Sequence, residues 1–200
     1  NFWRKNVFTE YPDLAGVFKN GRTFDHFKKK TVPRALLKEA YDLARMAPTS
    51  ANCQPMRILF LKTQVAKQRL SSALSSTNRE KTLKAPIVAI IAHDLDFYSA
   101  LPKLYRIPGA EKWFAGQEAL LEETAFRNGS LQGAYFILAA RWVGLDVGPM
   151  SGFDNNAVDK EFFVNSRWCS NFLCNLGFGD RRRLPKRDPR LEFNDTCQII

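Results

Sequence analysis

Pro48-Thr49-Ser50-Ala51-Asn52-Cys53-Gln54-Pro55 is the stretch on which the reading of this chain turns. Small residues dominate it, prolines close both ends and amides stand at Asn52 and Gln54, so it predicts a rigid polar loop. An amide carries donors and acceptors on one planar group, which suits the edge of a flat heterocycle. The bland alternative is a loop whose amides satisfy its own backbone.

Working outward, Pro33 is followed by apolar residues at three- and four-residue steps (Leu36, Leu37, Ala40, Tyr41, Leu43, Ala44), which predicts an amphipathic helix ending before Pro48. On the other side, Met56–Leu61 is an apolar run of strand length; residues 87–92 are another, and residues 65–74 between them read as helical. Residues 117–143 carry a long helical pattern, acidic at first and then apolar nearly all round from Ala134 to Ala140, which predicts burial of that half before Gly144 ends it. Gly129 and Gly133 weaken that helix by about 1 kcal/mol each, a tolerable loss where another helix approaches closely. Asp154 can cap a short helix through Phe163, and residues 172–178 read as a last core strand. The mixture lacks a regular βαβ rhythm, so the expected class is α+β, a sheet flanked by helices.

Composition narrows the function classes. The 200 residues, 45% hydrophobic and 25% charged, contain no repeat or linker, so residues 1–200 are expected to form one domain. No apolar run reaches the roughly 18 residues of a membrane span, and Asn1-Phe2-Trp3-Arg4-Lys5 lacks the apolar core of a signal peptide. Four cysteines without a Cys-x-x-Cys pair, and only two histidines, argue against a metal site and for reduced thiols in a cytoplasm. The net charge of +10 calls for an anionic partner, and the densest basic cluster is Arg181-Arg182-Arg183 followed by Lys186, Arg187 and Arg190. A nucleic-acid-binding module is the rival from another class. It is disfavoured because the basic residues are not interleaved with exposed aromatics.

Three further stretches carry chemistry. In Gly21-Arg22-Thr23-Phe24-Asp25-His26-Phe27, a guanidinium beside a hydroxyl can hold a phosphate by charge-assisted hydrogen bonds. In Val147-Gly148-Pro149-Met150-Ser151-Gly152-Phe153-Asp154, Gly152 lets a backbone amide approach a flat ligand closely. The basic C-terminal segment is the last.

Taken together, Arg22-Thr23, Pro48 to Pro55, Gly148 to Asp154, and Gly177-Phe178-Gly179-Asp180 followed by Lys186-Arg187 resemble the nitroreductase superfamily in order and spacing over nearly the whole chain. The resemblance is closest to the malonic semialdehyde reductase group of pyrimidine breakdown, through residues 73–76, 123–128 and 148–154. It implies a nitroreductase-like α+β fold with a central, mostly antiparallel sheet, in a domain-swapped homodimer with two flavin sites at the interface. It also implies FMN as cofactor, NADH or NADPH as donor, and ping-pong hydride transfer through flavin N5. By the same resemblance, Arg22 and Arg187 hold the FMN phosphate with Lys186 or Arg190 helping. Thr23, Ser50, Asn52 and Gln54 lie at the ring or ribityl chain, and the backbone around Pro149, Met150, Ser151 and Gly152 faces N5.

This chain departs from the family pattern at Ser151, where many members have glutamate, and at Asp25, where a basic residue is frequent; His26 and Arg57 are then the candidate cations near N1. The implied reaction is reduction of malonic semialdehyde to 3-hydroxypropionate, with Arg127 and Lys112 as candidate carboxylate partners. The alternative is a general nitroreductase or quinone reductase. No side-chain acid or base is demanded, because hydride transfer is the cofactor's chemistry.

Overall fold

A computed structural model describes residues 13–200. Among them, β1 (Met56–Leu61), β2 (Ile87–Asp94), β3 (Asp146–Met150) and β4 (Trp168–Gly177) form one antiparallel sheet in the order β1-β2-β4-β3. Every residue of β2 is buried, which is why it reads as a continuous apolar run rather than an alternation. Its successive side chains serve opposite faces. Ile87, Ala89 and Ile91 meet α2 (Arg34–Ala44) and α6 (Glu118–Trp142) through Leu36, Leu37, Ala40, Phe136 and Ala140. Val88, Ile90 and Ala92 meet Leu70, Leu74, Val158 and Phe163 from α3 (Gln64–Leu70), α7 (Asn155–Phe162) and their flanking turns. A separate cluster of Cys53, Phe97, Leu101, Phe114, Leu121 and Ala125 holds the excursion between β2 and α6 against the first half of α6.

The two glycines of α6 face the sheet, not a second helix as expected. A Cβ on Gly129 would lie 2.9 Å from the His93 Cβ, and one on Gly133 would lie 2.6 Å from the Phe172 ring. The predicted last strand begins earlier, at Trp168, because polar Ser170 and Asn171 interrupt the apolar pattern. Both are satisfied locally: the Ser170 amide donates to Asp159 at 2.7 Å and Asn171 Nδ2 to Ser130 Oγ at 2.8 Å. The helix predicted over 65–74 divides into α3 and a 3₁₀ turn at Ser71–Ala73.

Asp146–Met150 is an edge strand, although Gly148 and Pro149 together are of turn-forming type. Pro149 is tolerated there because an edge position spares it a missing ladder donor. The chain from Arg22 to Phe24 runs beside β3, with a parallel bridge from Thr23 to Val147 and the Phe24 amide donating to Val147 O at 3.0 Å. This approach needs Gly148, since a Cβ would stand 2.3 Å from the Phe24 carbonyl oxygen, a backbone atom that cannot swing aside. Gly148→Ala is therefore expected to lower stability by about 3 kcal/mol, read from the denaturant midpoint, with Arg22 losing its fixed position. An unchanged midpoint would contradict that packing.

Candidate functional site

Arg22 and Arg187 meet at the start of β3. Arg22 Nη2 donates to Pro185 O at 2.6 Å, and Arg187 Nη2 donates to Lys19 O and Gly21 O at 2.9 and 2.8 Å. With Arg141 and Arg190 they line a cleft of about 180 Å³ that also includes Thr23 and a single carboxylate, Asp188. Four guanidiniums against one carboxylate make the cleft strongly positive, and planar forks of this kind suit phosphate oxygens. Arg141 was not legible as a site residue, being the basic last turn of an otherwise apolar helix. Lys186 is exposed and does not line the cleft.

The triple arginine run has structural partners instead. Arg181 pairs with Asp146 at 3.2 Å and lies over the Phe24 ring, Arg182 pairs with Asp180 at 2.9 Å, and Arg183 Nη1 lies 3.3 Å from His26 Nδ1.

At the far end of β3, Gly152 O accepts from Asn78 Nδ2 at 3.0 Å and from the Ser75 amide at 3.1 Å. A Cβ on Gly152 would stand 2.6 Å from Asn78 Nδ2 and 3.0 Å from Ser75 Oγ, so the loop is held where only glycine fits. Pro149 and Met150 are half-buried and Ser151 is exposed. The helix beneath is α4 (Ser76–Lys84), whose charged sequence has no apolar stripe and which sequence patterning therefore missed. It contributes Asn78 and, one turn on, Lys81, whose Nζ lies 2.9 Å from Asp25. The six residues from Val147 to Gly152, five steps apart end to end, span about 17 Å in extended form, room for an elongated phosphorylated ring compound.

The Pro48 to Pro55 loop is elsewhere. Ala51, Asn52 and Gln54 have positive φ (50°, 51° and 41°), a left-handed geometry that strains non-glycine residues by roughly 1–3 kcal/mol each. Ser50 N donates to Asn128 Oδ1 at 2.8 Å, Asn52 Nδ2 to Leu104 O at 2.8 Å, and Gln54 Nε2 to Asn52 Oδ1 at 2.8 Å. In one chain these amides are thus engaged by protein, through Leu104 O and each other rather than through the loop's own backbone. The loop feeds β1, while the cleft and Gly152 flank β3; these are opposite edges of the sheet, three strand spacings or about 14 Å apart. One chain therefore unites Arg22, Thr23, Pro149 to Gly152, Arg187 and Arg190, and leaves Ser50, Asn52 and Gln54 apart.

Other candidates drop out on geometry. Arg57 is committed to Asp94 at 2.7 Å and to the carbonyls of Gln54 and Met56, and His26 to Arg183. Burial pushes the Cys53 thiol up to about 11, which leaves it protonated and poorly nucleophilic. Burial likewise holds His93 below the usual histidine range.

The nitroreductase family model matches residues 22–179. A Polynucleobacter asymbioticus protein named NADH dehydrogenase/NAD(P)H nitroreductase is 49% identical over 187 residues, covering 94% of this chain and 95% of its own. A Ralstonia pickettii protein of the same description, HadB, is 48% identical over 189 residues, covering 93% and 96%. Among solved structures, an Exiguobacterium sibiricum nitroreductase in complex with FMN superposes with a TM-score of 0.84 at 18% identity, over 94% of this chain and 97% of that one. Bacillus subtilis ydfN superposes with a TM-score of 0.82 at 20% identity, over 93% and 98%. The fold, the glycine-cradled edge strand with its basic cleft, and these relatives agree: the chain belongs to the nitroreductase family of FMN-dependent NAD(P)H oxidoreductases.

Proposed function

We propose that this chain is a homodimeric, cytoplasmic nitroreductase that passes electrons from NADH or NADPH to flat, electron-poor acceptors such as nitroarenes and quinones. The observation that carries the site assignment is the convergence of Arg22 and Arg187 on one cleft at the head of the Gly152-bearing edge strand. Bound FMN supplies the hydride chemistry, and the chain's own residues hold and shield it. In this reading Arg22, Arg187 and Arg190 take the phosphate with Thr23, and the backbone from Pro149 to Gly152 lines the ring. Lys186 drops to a peripheral role.

Dimerisation follows from the separation of the two half-sites. A loop 48–55 from a second copy would complete the site that β3 begins. The surface supports this: Leu14, Phe18, Leu43, Tyr135, Leu138 and Trp142 line one apolar depression on α1 (Leu14–Lys19), α2 and α6. Leu191 and Phe193 of the C-terminal segment are 77% and 62% exposed, as expected of an arm that exchanges onto another copy. Among the described residues no helix is long and apolar enough to cross a membrane.

In this reading Lys81, although itself paired with Asp25, takes the place of Arg57 and His26, because it sits one turn from the asparagine that holds Gly152 and its charge would stabilise the negative charge that reduction brings. Lys81→Met is expected to leave FMN bound but to lower the flavin's two-electron potential by on the order of 30 mV, about 1.4 kcal/mol. An unchanged potential would remove Lys81 from the site.

The aldehyde-acid reading, reduction of malonic semialdehyde, loses one of its two cations, since Arg127 is ion-paired to Glu123 one turn away. The test is kcat/KM for a nitrofuran, a quinone and malonic semialdehyde under one set of conditions. Turnover of the first two well above the third is expected; the reverse order would restore the semialdehyde as acceptor.

A further inference from the structure

A second basic cavity lies where β1 stops and β2 starts. Its volume is about 400 Å³, within the range of small-molecule sites, and Lys28, Lys29, Lys30, Lys62, Lys67 and Lys84 line it without one carboxylate. Of the six, Lys84 alone is ion-paired among the described residues, to Glu80. The cavity shares no residue with the arginine cleft.

Lys67 separates this cavity from an ordinary basic surface. It is only 6% exposed, and its ammonium donates to Leu83 O at 3.0 Å and Ala85 O at 2.7 Å. An ammonium has three donors, so one is left over on a buried group that lines the cavity. Burial pushes its pKa down, a penalty that an anion alongside would offset. Lys30 is held in place over the Phe178 ring, 4.1 Å from its centroid. One phosphate carries about two negative charges at most, so six ammoniums call for several linked phosphates.

We propose that this cavity is a second anion site, which takes a small oligophosphate, either free or as the phosphate chain of a nucleoside di- or triphosphate, with Lys67 at its base and the other five lysines around it. Its concavity favours a compact ligand over a nucleic-acid strand, which would lie across the opening.

The test is calorimetric titration of sodium tripolyphosphate into the flavin-loaded protein at low salt, with flavin absorbance followed in parallel. One site per chain is expected, with orthophosphate at least ten-fold weaker and affinity falling steeply as salt rises. Lys67→Met should weaken binding ten-fold or more. A Lys30→Ala/Lys62→Ala variant, which leaves the buried lysine in place and guards against misfolding of the first, should weaken it by a similar factor; both should keep their flavin. A nucleoside triphosphate binding tighter than tripolyphosphate would identify the source as the nucleotide's phosphate chain, and weaker binding would identify the free oligophosphate; either supports the proposal. Absence of binding at low salt, wild-type affinity in either variant, or release of flavin as tripolyphosphate binds would each overturn it. So would tighter binding of a single-stranded oligonucleotide that grows with its length.

Discussion

Arg187→Ala is expected to weaken FMN binding ten-fold or more and to yield a protein that purifies pale or colourless. Arg187 already fixes the Lys19 and Gly21 carbonyls while lining the cleft with Arg22, so the substitution would remove both the proposed phosphate donor and the clamp on the chain that carries its neighbour. A charge-assisted hydrogen bond contributes on the order of 1.5–3 kcal/mol, and each 1.4 kcal/mol is a factor of ten in affinity. Arg187→Lys should recover only part of the loss, because an ammonium keeps the charge but not the two-pronged geometry. Riboflavin, which lacks the phosphate, should bind the wild type poorly and be nearly indifferent to the substitution. Equal affinities of the wild type for FMN and riboflavin would place the phosphate elsewhere. Circular dichroism of the variant separates loss of ligand from loss of fold.

The second large effect is expected at the apolar face of α6. Leu138 lies in the depression with Leu14, Phe18, Leu43, Tyr135 and Trp142, and a carboxylate introduced there would be buried without a partner on association. Leu138→Asp should therefore lower the dimer's association constant at least a hundred-fold, a loss of about 2.7 kcal/mol. If the Pro48 to Pro55 loop of one copy completes the site of the other, flavin should be lost together with the dimer. Light scattering and flavin content on the same sample read both. A monomer that retains its flavin would contradict the shared site, and an unperturbed dimer would contradict the interface.

Much of the fold is legible in the sequence where one face of an element is apolar. The α2 pattern, the β1 and β2 runs, the long α6 and the Asp154 cap all appear where the spacing places them. What escapes is of another kind. The α4 helix has no side-chain N-cap bond and no apolar stripe; it is held by contacts of Asn78 and Thr82, so Asn78 and Lys81 leave no periodic signal. Edge strand β3 contains Gly148 and Pro149, which locally mark a turn; only the pairing with β4 and the close passage of Phe24 make them part of a sheet.

At the candidate site, residue types and order pointed to Arg22 and Arg187, which line one cleft, but a one-dimensional pattern could not separate Arg187 and Arg190, which line it, from Lys186, which does not. The triple arginine run drew attention by charge density alone, yet its members are occupied by Asp146, Asp180 and His26. Nor could it show that the loop 48–55 and the cleft sit at opposite edges of one sheet, since that depends on strand order.

In the proposed dimer one flavin site is built from the β3 edge of one copy and the 48–55 loop of another. Sedimentation of the purified protein over a dilution series, followed at the flavin absorbance, tests it most directly. Flavin absorbance is expected to sediment with the dimer at high concentration and to separate into free flavin and colourless monomer as the dimer dissociates. Flavin that sediments with a monomer, or a protein that stays colourless with excess FMN, would contradict it.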